Sequence, residues 1–587
     1  TQNRVSQEVR VRFSLRPPRF MKIDKINNLL ELFYKQYEKQ DKKNIFLQSL
    51  NEPQKKYSWE DVFINVIKLS EEISKYIKIG DRCLLISENR PEWIISDLSI
   101  MLSGGTTVPA YTTYSERDYE YIIENCTPTI LIISNENQYK KVKNIIPKKS
   151  FIKKVIFFDT VKDFNKESNL YINDIFKKEK FDKKVFINLK IQRKDIACII
   201  YTSGTQGNPK GVMLSHGGIL NNCEGAFNLL KTFISHKPKF LTWLPLSHSY
   251  EHTVQFVQIA VAGKVYYAES IDKLIKNMSD CSPEIMTAVP RFYQNLFQKI
   301  NSSFNNVEGL KKILINQTVK LGKKKLNNQK LFIWENLIDF ICDKLVRKKI
   351  KRQFGGNLKA FISGGGALDK EVGIFLNAIG LPTLQGYGLT ETSPVVSCNS
   401  IENIKVETVG VPFKGNEVKI ADDGEILIKG ENVMLGYWNN EEETKKVLKD
   451  GWLYTGDIGE FDREFLKITD RKKDIIITPG GDNISPVKIE NDLNKLNFIE
   501  QSLVYGDNKP YLISLIVLNS KYKNLSEEKI QKDIDEINKN LSKIEKIKKF
   551  IIIKDLFTIE NSLMTPTLKL KRYKIIKKYQ KEIENLF

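Results

Sequence analysis

Short, uninterrupted apolar runs alternate along this chain with stretches of helical spacing, and that alternation restricts the fold more than any other feature. The runs lie at 83–86, 129–133, 155–158, 196–201, 240–244, 265–267, 285–289 and 358–362. Each has strand length and is apolar on successive residues, so both of its faces must be buried. Between and before them, Ile26, Leu29, Leu30, Phe33 and Tyr37, then Val62, Val66, Leu69, Ile73 and Ile77 after the N-cap candidate Ser58, repeat at helical spacing. Strand and helix in alternation predict an α/β fold with mostly parallel sheets. Such sheets bind ligands where strands end in polar or glycine-rich loops.

The run at 196–201 empties into Tyr201-Thr202-Ser203-Gly204-Thr205-Gln206-Gly207-Asn208-Pro209-Lys210-Gly211. Glycines let backbone N–H groups turn toward an anion, hydroxyls donate further hydrogen bonds, and Lys210 adds a point charge, a combination suited to a nucleotide triphosphate. The Walker pattern does not fit, because Pro209 precedes Lys210 and Gly211 follows it. Taken alone, such a loop also reads as a surface turn. Gln385-Gly386-Tyr387-Gly388-Leu389-Thr390-Glu391-Thr392 again joins glycine and hydroxyl with one carboxylate, and a carboxylate beside a triphosphate suits Mg²⁺. Asp457, in Tyr454-Thr455-Gly456-Asp457, suits the vicinal hydroxyls of a ribose, with Arg471 bracing the same sugar. Ser363-Gly364-Gly365-Gly366-Ala367-Leu368 would let a ring pack on bare backbone, a helix-entry turn being the alternative.

At 587 residues the chain exceeds one ordinary domain. Residues 1–20 lack an initiating Met and contain no apolar segment of a secretory signal, so they read as a non-core extension, with a basic arm as the alternative. Residues 21–470 read as a large N-terminal domain, with a lysine-rich helical insertion at about 301–355 and a small β-barrel-like part at about 404–470. Residues 471–587 read as a smaller α+β domain. Lys and Arg number 92 against 71 Asp and Glu, a net charge of +21. The lysines are scattered among Ile and Asn, without an Arg-rich patch interleaved with aromatics, so solvated surface charge is expected and nucleic acid is not. Seven scattered cysteines, never in Cys-x-x-Cys, point to reduced thiols of a cytoplasmic protein. Four histidines are too few and too badly spaced for a zinc site. With no apolar run of membrane-spanning length, the membrane contact left open is a peripheral one, on the inner face. Oligomeric state is open, a homodimer included.

Running in order from 201 to 572, these blocks resemble the adenylate-forming (AMP-binding) superfamily of acyl-CoA synthetases, luciferases and nonribosomal-peptide adenylation domains. Val289-Pro290-Arg291-Phe292-Tyr293, the helical insertion after it, and Met564-Thr565-Pro566-Thr567-Leu568-Lys569-Leu570-Lys571-Arg572 are similar to the long-chain fatty acyl-CoA synthetase branch. The resemblance implies two mostly parallel sheets with helices in the large domain, and a mobile small domain turning at a hinge that includes Lys472 and Lys473. It implies an ATP site of Thr202, Ser203, Gly204, Thr205, Gly207, Lys210, Gly364, Gly365, Gly366, Gln385, Gly386, Tyr387, Gly388, Thr390, Asp457, Arg471 and Lys569. Tyr387 would lie against the adenine, Thr390 on the α-phosphate, and Glu391 with Thr205 on Mg²⁺. The implied catalytic set is Lys569, Thr390, Glu391 and Lys210. His248 resembles the family's acyl-pocket histidine, a core His being the alternative. Gly480 and Gly481 fall where the family passes the CoA arm, while Asn483 replaces an Arg of some shorter-chain relatives. The family's commoner tail has glycine where Leu568 stands, and Lys571 is the competing lysine.

The implied reaction joins a long-chain fatty acid to CoA through an acyl-adenylate, with ATP, CoA and Mg²⁺ as co-substrates. Delivery to an acyl-carrier protein, or arrest at the adenylate, is the alternative within the class. A basic protein that binds nucleic acid or a membrane surface is the alternative outside it. The acyl chain length cannot be read, because a tunnel wall and a core look alike in sequence.

Overall fold

The computed structural model describes residues 22–186, 190–202, 209–480 and 482–587. All eight apolar runs lie on strands, and two sheets hold them. In one, Asn169–Tyr171, Lys154–Phe157, Ile130–Ile133, Arg82–Ile86, Thr106–Ala110 and Ile196–Thr202 lie parallel side by side. Lys210–Ser215 then returns antiparallel to Ile196–Thr202, with Thr202 opposite Lys210. The segment expected to be a phosphate loop therefore joins a hairpin, and its lysine stands on a strand. Thr106–Ala110 is wholly buried, yet Thr106, Thr107 and Pro109 keep it from reading as an apolar run.

The second sheet has nine strands. Its parallel centre runs through Ile45–Ser49, Lys264–Tyr267, Lys239–Thr242, Ile285–Ala288, Ala360–Ser363 and Thr383–Gly388. Lys56–Ser58 closes one edge and Val395–Cys398 with Val411–Pro412 the other, all antiparallel. Helices fill the space between the sheets. Pro91–Leu102 is buried at every residue, whereas Trp59–Ile73, capped by Ser58 and Asp61, buries one stripe.

A five-stranded antiparallel sheet (Glu417–Ile420, Glu425–Lys429, Leu448–Lys449, Trp452–Asp462 and Phe465–Arg471) makes up the barrel-like part. The helical insertion comprises Pro290–Asn305, Gly309–Leu326, Ile333–Cys342 and Lys348–Gln353. It starts earlier than 301 because Pro290, with its fixed φ, occupies the first helical turn. Beyond it, the smaller C-terminal domain is built on Ile499–Tyr505, Leu512–Leu518 and Ile547–Ile553. Separate apolar clusters cover the two faces of that sheet, one around Ile489 and Ile530, the other around Phe557 and Ile575. All seven cysteines are unpaired and buried. Among the described residues no helix is long and apolar enough to cross a membrane.

Candidate active site

Four neighbouring parallel strands end at one place. Lys239–Thr242 leads to His248, Ile285–Ala288 to Pro290, Ala360–Ser363 to Gly364, and Thr383–Gly388 to Thr390. The carboxyl ends of an open α/β sheet are where such folds bind ligands. A cleft of about 2680 Å³ opens there, floored by the large domain and roofed by the C-terminal one. A pocket for one small molecule takes roughly 300–1,000 Å³, so this cleft has room for more than one substrate.

On the floor, a carboxylate is clamped from two sides. Asp457 and Arg471 are cross-strand partners, and Arg471 Nε lies 3.2 Å from Asp457 Oδ1. Tyr387 donates its hydroxyl to Asp457 Oδ2 at 2.8 Å. Burial lifts the Asp457 carboxyl above its ordinary value, against the pull of Arg471 and Tyr387. Nearby, Thr390 Oγ1 is 3.0 Å from Ser249 Oγ, and Glu391 Oε1 accepts from Tyr437 at 2.9 Å. Lys210 pairs with Glu443 and lies 5.0 Å over the Tyr437 ring. That pairing, with Lys446 adding to it, holds the Glu443 carboxyl down at about 2.

The glycines have separate reasons. A Cβ on Gly388 would sit 1.7 Å from the Pro394 carbonyl oxygen, so only glycine lets those segments cross. Gly365 has φ +82° and an open approach to the cleft, while Gly364 is packed against the Tyr250 ring. The Gln385 amide is turned away from ligands, donating to the Val406 carbonyl at 2.5 Å and accepting from Leu368 N–H at 3.2 Å. His248 caps the helix Ser249–Ala260, its Nδ1 accepting from Tyr250 N–H at 3.1 Å. Burial, and then the charge of Lys569, push its pKa down to about 3, so the ring is neutral. His252 is the core histidine of the same segment, 2.8 Å from Asp97 and fully buried.

From the roof, a turn closed by the Met564–Leu570 bridge brings in Lys569. Thr565 N–H donates to the Lys569 carbonyl at 2.8 Å, and Lys569 N–H donates to Thr565 Oγ1 at 3.0 Å. The Lys569 ammonium faces the open cleft, yet crowding by protein, and then Arg471, depress its pKa to about 8. Burial lowers the Lys571 pKa as well, with Lys574 adding to the shift and Asp118 opposing it. Arg572 turns inward to Glu490 and the Val504 carbonyl. Leu568 adopts φ +62°, and its side chain packs on the large-domain cluster of Leu244, Tyr250 and Val289.

Residues 33–438 match the AMP-binding enzyme family, and residues 473–587 match the AMP-binding enzyme C-terminal domain. The chain belongs to the AMP-binding enzyme family. It is 30% identical to the long-chain-fatty-acid–CoA ligase FadD15 of Mycobacterium bovis over 88% of this chain and 89% of that one. It is also 30% identical to long chain acyl-CoA synthetase 3 of Arabidopsis thaliana, over 91% of this chain and 87% of the other. Among solved structures, an anthranilate CoA ligase in complex with anthranoyl-AMP superposes with a TM-score of 0.74 at 18% identity, covering 95% of this chain and 99% of that one. A carboxylate reductase adenylation domain from Mycobacterium chelonae gives 0.75 at 20%, covering 95% and 91%. The likeness to these two structures is one of fold.

In this AMP-binding enzyme the cleft gathers Thr202, Lys210, His248, Gly364, Gly365, Gly366, Gln385, Gly386, Tyr387, Gly388, Thr390, Glu391, Asp457, Arg471, Lys472, Lys473 and Lys569. Ser203, Gly204, Thr205, Gly207 and Gly481 lie outside the described residues. Gly480 is exposed and not part of the cleft wall. Lys472 is occupied by Asp423 at 2.7 Å and Glu425 at 3.1 Å.

Sequence reasoning missed an apolar arm of the cleft, walled by Ala226, Leu229 and Leu230 of the helix His216–Leu230 and by Val254 and Val257 of Ser249–Ala260. Phe413 also lines the cleft, in the space left by Gly225, where a Cβ would be 2.1 Å from the ring. It also missed the ties between roof and floor. Arg291 reaches Glu500 at 3.1 Å, and Lys495 lies 3.7 Å from Asp369 and 3.5 Å from Glu371. The only signal for Arg291 was its place in the Val289–Tyr293 block; the others are single letters far apart.

Proposed function

We propose that this enzyme activates a long-chain fatty acid with ATP and passes the acyl group from the adenylate to CoA, releasing pyrophosphate and AMP. The observation that carries the reading is one continuous cleft lined by the Asp457–Arg471–Tyr387 cluster, by Lys210, Thr390 and Glu391, by the apolar arm, and by Lys569. The curated relatives cited above are themselves named as long-chain acyl-CoA ligases.

Asp457, held by Arg471 and Tyr387, accepts from the two ribose hydroxyls, and the adenine rests on the Gly365 side of the cleft. Thr390 donates to the α-phosphate. Lys210 leaves Glu443 for the outer phosphates, exchanging one carboxylate for a more highly charged partner. Glu391 fits Mg²⁺, since a magnesium ion carried by phosphates needs only one or two protein carboxylates and Tyr437 engages just one of its oxygens. When bound, that ion would screen the phosphate charge. The fatty carboxylate attacks the α-phosphorus in line with pyrophosphate departure, and Lys569 opposes the charge gathering there. The acyl chain lies in the arm between the two helices, and neutral His248 lines its entrance without adding a charge.

The second half-reaction needs no ammonium at the α-phosphate. The C-terminal domain, residues 471–587, turns about Lys472 and Lys473 and withdraws Lys569. CoA enters past Gly480, and its thiolate displaces AMP from the acyl carbonyl. Its seven unpaired, buried cysteines fit a reducing, cytoplasmic setting.

The test is pyrophosphate and AMP release from Mg·ATP with a series of acids from short to long, each with and without CoA. Turnover that needs both a long acid and CoA supports the reading. Exchange of pyrophosphate driven by acid alone, unchanged by CoA, would replace CoA with a carrier protein or another acceptor.

A further inference from the structure

The helix Ile333–Cys342 is built inside out. Its buried residues are Asp339 and Cys342, while Ile333 is 89% exposed, Trp334 62%, Leu337 65% and Phe340 56%. A helix of a soluble domain turns its apolar stripe to the core and its charges to water. At 100° per residue these outward side chains fall, with Ile341, within one arc of roughly 120°. Leu345, just beyond the helix, and Phe332, just before it, extend the same surface, and the Phe332 and Trp334 rings stack at 4.8 Å.

Charge surrounds this surface with one sign. Residues 308–356 contain thirteen Lys and Arg against four Asp and Glu. The acidic groups of the helix are taken up internally. Glu335 binds Lys324 at 2.5 Å, and Asp339 binds Arg347 at 2.8 Å. Lys330, Lys344 and Lys349 have no carboxylate partner among the described residues, and Lys344 lies 4.4 Å over the Phe340 ring.

We propose that the outward apolar face of Ile333–Cys342, ringed by lysines, docks this protein flat on an anionic lipid surface. An apolar face bordered by Lys, with aromatic rings at the boundary, is the pattern of a helix lying in the plane of a bilayer. Ten residues rise about 15 Å, half the hydrocarbon thickness, so the helix lies on the membrane and does not cross it. A second copy fits the same face poorly, because a two-fold contact would bring the two lysine rims together. The proposal stands on this surface alone and does not depend on the ligase reading.

The test is co-sedimentation of the full chain with vesicles of phosphatidylcholine, alone or mixed with phosphatidylglycerol. The wild type is expected to partition at least about tenfold more strongly onto the anionic vesicles, and to lose that preference as salt rises. Trp334→Ser/Leu337→Ser/Phe340→Ser should cut the partition about tenfold with unchanged thermal melting, since these side chains support no core. Lys330→Glu/Lys344→Glu/Lys349→Glu should remove the anionic preference. Ile79→Ser, which alters an isolated side chain that is 92% exposed, should change nothing. A wild type that stays in solution overturns the proposal and gives the face to a protein partner. So does a triple serine variant that binds like the wild type, or a dimer in sedimentation velocity that this variant abolishes.

Discussion

The floor and the roof of the cleft are made differently. On the floor, Asp457 has two partners fixed by strand pairing, Arg471 at 3.2 Å and Tyr387 at 2.8 Å. On the roof, Lys569 hangs from a single turn, its ammonium facing the open cleft, and the turn is pinned to the large domain by one leucine in a left-handed conformation. On the proposed mechanism, the carboxylate that serves both half-reactions is built in, and the lysine that serves only one is attached where it can leave. The structure suggests that the permanence of each group follows how long the chemistry requires it.

Substitutions on the two surfaces should therefore have different signatures. Lys569→Ala should lower overall ligation about 10²–10³-fold, the cost of losing a charge that opposes transition-state oxyanions. Asp457→Ala should lower it about 10²-fold, with a raised KM for ATP, because the adenylate carries the same ribose into the second step. Leu568→Gly should cost about tenfold in adenylation. It relieves roughly 1–2 kcal/mol of left-handed strain while giving up the contact with Tyr250 and Val289, so folding stability stays nearly level and only positioning suffers. Melting curves beside initial rates separate those effects.

A smaller effect concerns pH. Crowding and Arg471 disfavour the charged form of Lys569, whose pKa sits at about 8. The ammonium is intact below that value and lost above it, so kcat/KM for adenylation should fall as pH rises through about 8. In Lys569→Arg, which keeps its charge, that limb should vanish. The same depression makes folding slightly less favourable at low pH than between about 8 and the ordinary lysine value, where the folded state binds fewer protons than the unfolded chain.

The parallel strands were legible because burial on both faces writes itself as unbroken apolar runs. Thr106–Ala110 was not, since Thr and Pro109 fill a position that the fold buries anyway. Tyr387, Thr390, Glu391, Asp457 and Arg471 stood out as compact blocks, and the structure brings them together with Lys569. Residues whose meaning is purely spatial stayed silent. Phe413 and Val257 look like any core residue until the cleft is seen to reach them, and Glu443 reads as one acid among three until Lys210 reaches it. The outward face of Ile333–Cys342 was read as ordinary helix, because periodicity reveals that a stripe exists and not which way it points.

The most direct test of this division of labour is to follow both half-reactions in one Lys569→Ala preparation. ATP–pyrophosphate exchange with a long-chain acid reports the first, and acyl-CoA formation from supplied acyl-adenylate reports the second. The account predicts that exchange collapses while thioester formation stays within a few-fold of the wild type. Equal loss in both would mean that Lys569 serves the whole cleft and that the roof is as permanent as the floor.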